Sequence, residues 1–262
     1  MMHFLVRLYR RFRYMRYGWF GNFASWQEAK QQCTGYDDGA ILQKILAGAQ
    51  KVKNGEAVWE RDGVLLDRIE YSWPLLAHLL WIGRRQGNRL SVIDFGGGLG
   101  TAWFQNRGYL SVIEEVKWSV TEQQGFVSAG QAHIAGDALQ FYYTVRDAIA
   151  DRGPHDVFMM GCVLPYLEKP YSFLQEIIDK RFPYIVIENT YFNHVPGDRL
   201  TIQKVPPFYY EASYPAWFLD YDKVKALLLT RYDLVEAYTN DTFLYFYGRK
   251  INYKGLVMKL RS

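Results

Sequence analysis

Cysteine is scarce in this chain of 262 residues: Cys33 and Cys162 are the only two, they lie far apart, and no CxxC pair occurs. The five histidines are scattered and no HExxH is present, so no ligand set for zinc can be read and no metal is expected. Cysteine poverty suits a reducing cytosol, and a cytoplasmic protein is expected. Net charge is also small, +4, with no basic stripe, which argues against a nucleic-acid partner. No apolar run approaches the roughly 18 residues that a bilayer-spanning helix needs. The longest, PLLAHLLWIG, is short and holds His78. No internal repeat and no low-complexity linker interrupts the chain. Apolar residues, in contrast, make up 49% of it and aromatics 17%, which excludes disorder. The length suits one sizeable core with an appended segment, or two small domains.

The N-terminal MMHFLVRLYRRFRYMRYGWF is no secretory signal, because arginines break every apolar stretch. Leu5, Leu8, Phe12, Met15 and Trp19 fall on one helical face, with Arg7, Arg10, Arg11, Arg13 and Arg16 off it. Such a basic amphipathic helix can lie on the anionic inner face of a membrane, each arginine adding about 1 kcal/mol. The alternatives are a helix packed on its own domain and a frayed basic tail. Ser25 and Glu28 form a capping box, so a helix should start at Ser25. Asp37 and Asp38 precede the stripe Ile41, Ile45, Leu46 and Ala49, which ends near Gly55. Pro74 opens PLLAHLLWIGRRQ, and Gly87 can close it. Residues 1–88 therefore read as a helical cap with no clear strand.

From residue 89 to 262 the rhythm changes. LSVIDF, KWSVTE, LQFYYT, DVFMMG and PYIVIEN read as strands separated by helix-compatible stretches. YDLVEAY and YKGLVMKL follow, with FLYFYGRK between or beside them, so an antiparallel edge is expected. Strands alternating with helices predict an α/β doubly wound, mostly parallel sheet.

The first of these strands runs into glycines: VIDFGGGLG. A dinucleotide-binding GxGxxG frame beginning at Gly96 meets Thr101 where the third glycine should stand. That disfavours a nicotinamide-dependent reductase or epimerase. The frame that fits is Asp94-x-Gly96-x-Gly98-x-Gly100, which resembles the first motif of class I methyltransferases that use S-adenosylmethionine. An acid beside the loop repels a pyrophosphate but attracts an ammonium, while the helix start after Gly100 offers N–H groups to a carboxylate. The next strand ends at Glu122, followed by Gln123, where one carboxylate can hold both ribose hydroxyls. Glu114 and Glu115 compete for that role but precede the strand as read.

Longer runs carry a closer resemblance. YGWFGNFASWQEA, GEAVWERDGVLLDRIEYSWPLL, VIDFGGGLGTAWFQNR and DRLTIQKVPPFYYEASYPAWF resemble an uncharacterised bacterial family of class I methyltransferases, the similarity running from about Tyr17 to Val257. Its members often accompany surface-polysaccharide synthesis. The resemblance implies a Rossmann-like class I methyltransferase fold, a seven-stranded sheet under an N-terminal helical cap. It implies S-adenosylmethionine as cofactor, held by Asp94, Phe95, Gly96, Gly97, Gly98, Gly100, Glu122 and Gln123. Gly161 and Cys162 would stand by the methyl group, with residues 164–167 shaping the floor. Members often carry Ser at the position of Gly98, a polar pair at Gly161 and Cys162, Arg at Asn189 and Pro at Tyr191.

The acceptor implied is a small molecule or saccharide, methylated on oxygen or nitrogen. A hydroxyl would need a base within hydrogen-bond reach. His194 is the candidate by its reference pKa; Glu188 is another, or else a structural strand-end acid. Asn189, Tyr191, Tyr210, Tyr214 and Trp217 are candidate acceptor-binding residues, the last three in QKVPPFYYEASYPAWF, which reads as an ordered loop too rich in proline for a central strand. Arg61, Tyr71 and Trp73 of the cap are placed over the methionine end. A protein that binds the cofactor without catalysis is the main rival reading.

Overall fold

The computed structural model describes residues 16–34, 38–207, 209 and 211–261. The expected basic helix therefore lies outside the described residues for all but Arg16 and Trp19, as does Tyr210.

The first described segments form a cap: β1 (Gly18–Phe20), α1 (Trp26–Gln31), α2 (Asp38–Lys53), β2 (Trp59–Arg61), β3 (Val64–Leu66) and α3 (Trp73–Arg85). Ser25 caps the helix, Glu28 N–H donating to its Oγ at 3.2 Å, while Glu28 Oε2 reaches back one residue beyond the N-cap to accept the Ala24 N–H at 3.0 Å. Three short strands correct the expectation of a wholly helical cap. Trp19, read as the end of a helical stripe, sits in one of them.

Then follow β4 (Arg89–Phe95), α4 (Thr101–Leu110), β5 (Glu115–Thr121), α5 (Gln124–Ala129), β6 (Leu139–Tyr142), α6 (Val145–Arg152), β7 (Val157–Gly161), α7 (Pro170–Lys180), β8 (Tyr184–Thr190), β9 (Arg199–Lys204), β10 (Ser213–Phe218), α8 (Tyr221–Leu228), β11 (Tyr232–Phe246) and β12 (Arg249–Leu260). The main sheet has seven strands in the order β11-β12-β8-β7-β4-β5-β6. Pairings from β6 across to β8 are parallel, while β12 runs antiparallel to both its neighbours. This is the Rossmann-like, mostly parallel seven-stranded sheet with an antiparallel edge expected from the sequence. Chain order reverses at β4: β5 and β6 lie to one side, β7 and β8 to the other. The crevice at the carboxyl ends of β4 and β7 is the place where such sheets bind ligands.

Strands buried on both faces feed two apolar layers. Val92, Trp118, Val120, Met159 and Val186 meet α2, α3 and α4 on one side. Ile93, Phe158, Met160, Ile185 and Ile187 meet α7 and α8 on the other. Among the described residues no helix is long and apolar enough to cross a membrane.

The loop expected over QKVPPFYYEASYPAWF is instead largely a hairpin arm. β9 and β10 pair antiparallel, with Pro215 opposite Ile202, and β1 closes the sheet in the order β1-β9-β10. Pro215 is tolerated because β10 is an edge strand and needs no donor on its outer side. A second sheet thus joins the cap to residues 199–218. FLYFYGRK forms the far end of the β11–β12 hairpin, turning at Tyr247 and Gly248 with φ of 47° and 78°.

Candidate active site

β4 ends in Asp94 and Phe95, and the chain then turns sharply through the glycines into α4. Gly96, Gly98 and Gly100 all have positive φ, of 72°, 58° and 86°. A Cβ at Gly96 would stand 2.7 Å from Val163, at Gly97 2.5 Å from the Asp94 carboxyl, and at Gly100 2.9 Å from Leu139. At Gly98 it would meet nothing within 4 Å. Three of the four glycines are therefore imposed by protein walls, and the fourth faces open space.

The Asp94 carboxyl lies beneath this loop rather than in the crevice. It is 2% exposed and accepts the Trp118 indole N–H at 3.0 Å. Burial pushes its pKa up to about 7, the indole opposing and the charge of Glu122 reinforcing the shift. A ligand over the loop would sense this acid across Gly97. Glu122 directly follows β5 and is half-buried, its pKa also raised by burial. It accepts the backbone N–H of Gln123, which is the residue before α5. Glu115 opens β5 instead of preceding it, yet at the amino end, about 20 Å from the glycines at the rise of a strand.

The loop after β7 touches the glycine loop, since Val163 packs on Gly96. Gly161 and Cys162 thus border the same crevice. Gly161 is exposed with open space on its Cβ side. Cys162 adopts φ 55°, donates its N–H to Glu188 O at 3.0 Å, and has its thiol pushed up to about 12 by burial, Arg61 opposing.

Other candidates fall elsewhere. Glu188 is 6% exposed and both its oxygens are engaged, by Tyr238 Oη and by Asn240 Nδ2 at 2.8 Å. Tyr238 can lie across to it because Gly255, its cross-strand partner, leaves room for the ring. Asn189 accepts from the same Asn240 amide at 3.3 Å. Tyr191 is 0% exposed, its hydroxyl accepting the Trp19 indole N–H at 3.1 Å. That corrects its reading as an acceptor contact: the ring fills core. His194 is exposed and sets its ring edge against Phe246, 6.2 Å between centroids. Tyr214 and Trp217 lie on opposite faces of β10, Tyr214 against Tyr166 and Trp217 stacked on Trp26. They cannot both face one ligand. Tyr71 and Trp73 cluster with Tyr109 at the far end of α4, so they do not cover the loop.

Sequence reading missed Asp62 and Tyr238. The signal for Asp62 was present: Asp-Gly in WERDGVLL is a strong hairpin turn. Among the described residues no group of His, Cys, Asp and Glu could hold a metal ion.

No family model matches the chain, and no curated protein does. Similar solved structures exist. The N-terminal domain of EvdMO1, crystallised with SAH and D-fucose, is 12% identical with a TM-score of 0.49, covering 87% of this chain and 98% of that one. A Burkholderia thailandensis 1,6-didemethyltoxoflavin-N1-methyltransferase with bound S-adenosylhomocysteine is 14% identical, TM-score 0.46, covering 94% of each chain. A SAM-dependent methyltransferase of Methanosarcina mazei is 14% identical, TM-score 0.49, covering 72% of this chain and 99% of that one.

Proposed function

We propose that the protein is an S-adenosylmethionine-dependent methyltransferase acting on the oxygen or nitrogen of a small-molecule or saccharide acceptor. The observation that carries this reading is the opening at Gly98, between a buried acid under the loop and a second acid after β5. An acid beneath a bare peptide turn and a second acid after β5 favour a cationic sulfur nucleoside over a diphosphate. When bound, that cofactor supplies an electrophilic methyl group on a positively charged sulfur.

The chain's own residues then have distinct tasks. Backbone N–H groups of residues 97–99 and 101–103, with Phe95 beside them, would hold the methionine part, those of Gly96 and Gly100 being engaged by Thr121 O and Gly97 O. Glu122 would take the ribose hydroxyls, with Gln123 beside the base. Gly161 and Cys162 would border the sulfur. Tyr214, with Tyr166 and Asn189, supplies candidate contacts for the acceptor. Glu188, held by two donors, serves better as a strut between β8 and the β11–β12 hairpin than as a base. The basic N-terminal segment would bring the enzyme to the inner face of a membrane if the acceptor is a lipid-linked saccharide, which vesicle sedimentation with and without anionic lipid tests.

Calorimetric titration with S-adenosylhomocysteine tests the reading. Wild type binds, and Glu122→Ala loses roughly 1.5 to 3 kcal/mol, as for removal of a charged hydrogen-bond partner. A thermal shift with NAD or NADP and none with S-adenosylhomocysteine would falsify it.

A further inference from the structure

The hairpin of β2 and β3 turns through Asp62 and Gly63, both left-handed with φ of 52° and 73°. It is bolted to the first residue of α4. Glu60, 2% exposed, accepts Thr101 Oγ1 at 2.6 Å and the Gly63 N–H at 3.0 Å, and the Trp59 indole N–H points to Thr101 O at 3.5 Å. Thr101 directly follows Gly100, so the turn is fixed relative to the glycine loop. On its other side Gly63 packs on Lys44 of α2, whose ammonium donates to Tyr209 O. The charges of Arg61 and Asp62 act on Cys162 at the end of β7 and on Tyr253 of β12. The turn therefore stands beside the glycine loop, within electrostatic reach of the loop that follows β7.

Asp62 differs from every other acid of this region. Its side chain is solvent-accessible, yet surrounded by enough protein to raise its pKa, with Arg61 and Lys44 opposing. Among the described residues no donor hydrogen-bonds it, whereas Asp94 is sealed under the loop, Glu122 holds the Gln123 N–H and Glu188 is saturated.

Resting on the methyltransferase reading, we propose that Asp62 faces the transferred methyl group from the cap and is the base for a hydroxyl acceptor. In that step the acceptor oxygen bonds to the methyl carbon, the carbon–sulfur bond breaks with its electron pair returning to sulfur, and the O–H proton passes to the Asp62 carboxylate. Arg61 beside it favours the ionised form that can accept the proton.

The test needs no known acceptor. Sinefungin has an amine-bearing carbon where the cofactor has its methylated sulfur, and so presents an ammonium to whatever lines the methyl position. Titration of wild type and Asp62→Asn with sinefungin and with S-adenosylhomocysteine reads the preference between them. Asn suits the left-handed turn, so the fold is retained. Wild type should prefer sinefungin by about tenfold, the size of one charge-assisted hydrogen bond, and Asp62→Asn should erase that preference while holding S-adenosylhomocysteine within about twofold. An equal preference in both proteins, or none in a wild type that binds S-adenosylhomocysteine, overturns the assignment of Asp62 alone. A wild type that does not bind S-adenosylhomocysteine overturns the methyltransferase reading with it.

Discussion

Replacing Asp94 with Asn should change how stability depends on pH. The folded carboxyl titrates near 7 against an ordinary value of 3.8, chiefly because it is buried. Between those two values the folded state holds a proton that the unfolded chain has released, so stability falls as pH rises through the window. With those pKa values the loss attributable to Asp94 is roughly 2.5 kcal/mol between pH 5 and pH 8, and about 4 kcal/mol once both states are ionised. Asn keeps an oxygen for the Trp118 indole but cannot ionise. Urea unfolding at pH 5 and pH 8, on wild type and Asp94→Asn, gives the difference of differences. The comparison is needed because burial also raises Glu60 and Glu188, adding slope of the same sign, while it lowers His155 to about 4, adding slope of the opposite sign. The variant should gain on wild type by roughly 2.5 kcal/mol over this interval, at unchanged urea dependence. Parallel pH profiles for the two proteins would refute the picture of a buried, titrating acid under the loop.

Two further outcomes follow from the glycines. Gly98→Ala meets open space at positive φ, so it should cost only about 1 kcal/mol in urea unfolding but at least about tenfold in affinity for S-adenosylhomocysteine by calorimetry. Gly255→Ala drives a methyl into the Tyr238 ring and should cost about 1 to 3 kcal/mol; because it also breaks the tie to Glu188, its effect should be less than additive with Tyr238→Phe.

The main sheet was legible because each of its parallel strands is a short apolar run bounded by turn residues, a signal that needs no distant partner. The glycine loop was legible for the same reason: its demands on φ are local. What escaped reading depends on partners far along the chain. β1 is three residues long and pairs with β9, and β10 carries Pro215, so neither announces a strand by itself. Position after β8 suggested that Tyr191 and His194 face a ligand. The first is instead drawn inward by Trp19 and Phe218, the second placed against Phe246. Asp62 was overlooked although Asp-Gly marks a turn, because nothing local says that the turn will stand beside a loop that comes later in the chain.

The pairing of Gly18–Phe20 with Ile202–Lys204 has a kinetic consequence. During synthesis the early strand leaves the ribosome long before its partner exists, and the edge it must join is made only when most of the protein has emerged. The small second sheet is thus closed late, and the contact of Tyr214 with Tyr166 beside it has to wait for that closure.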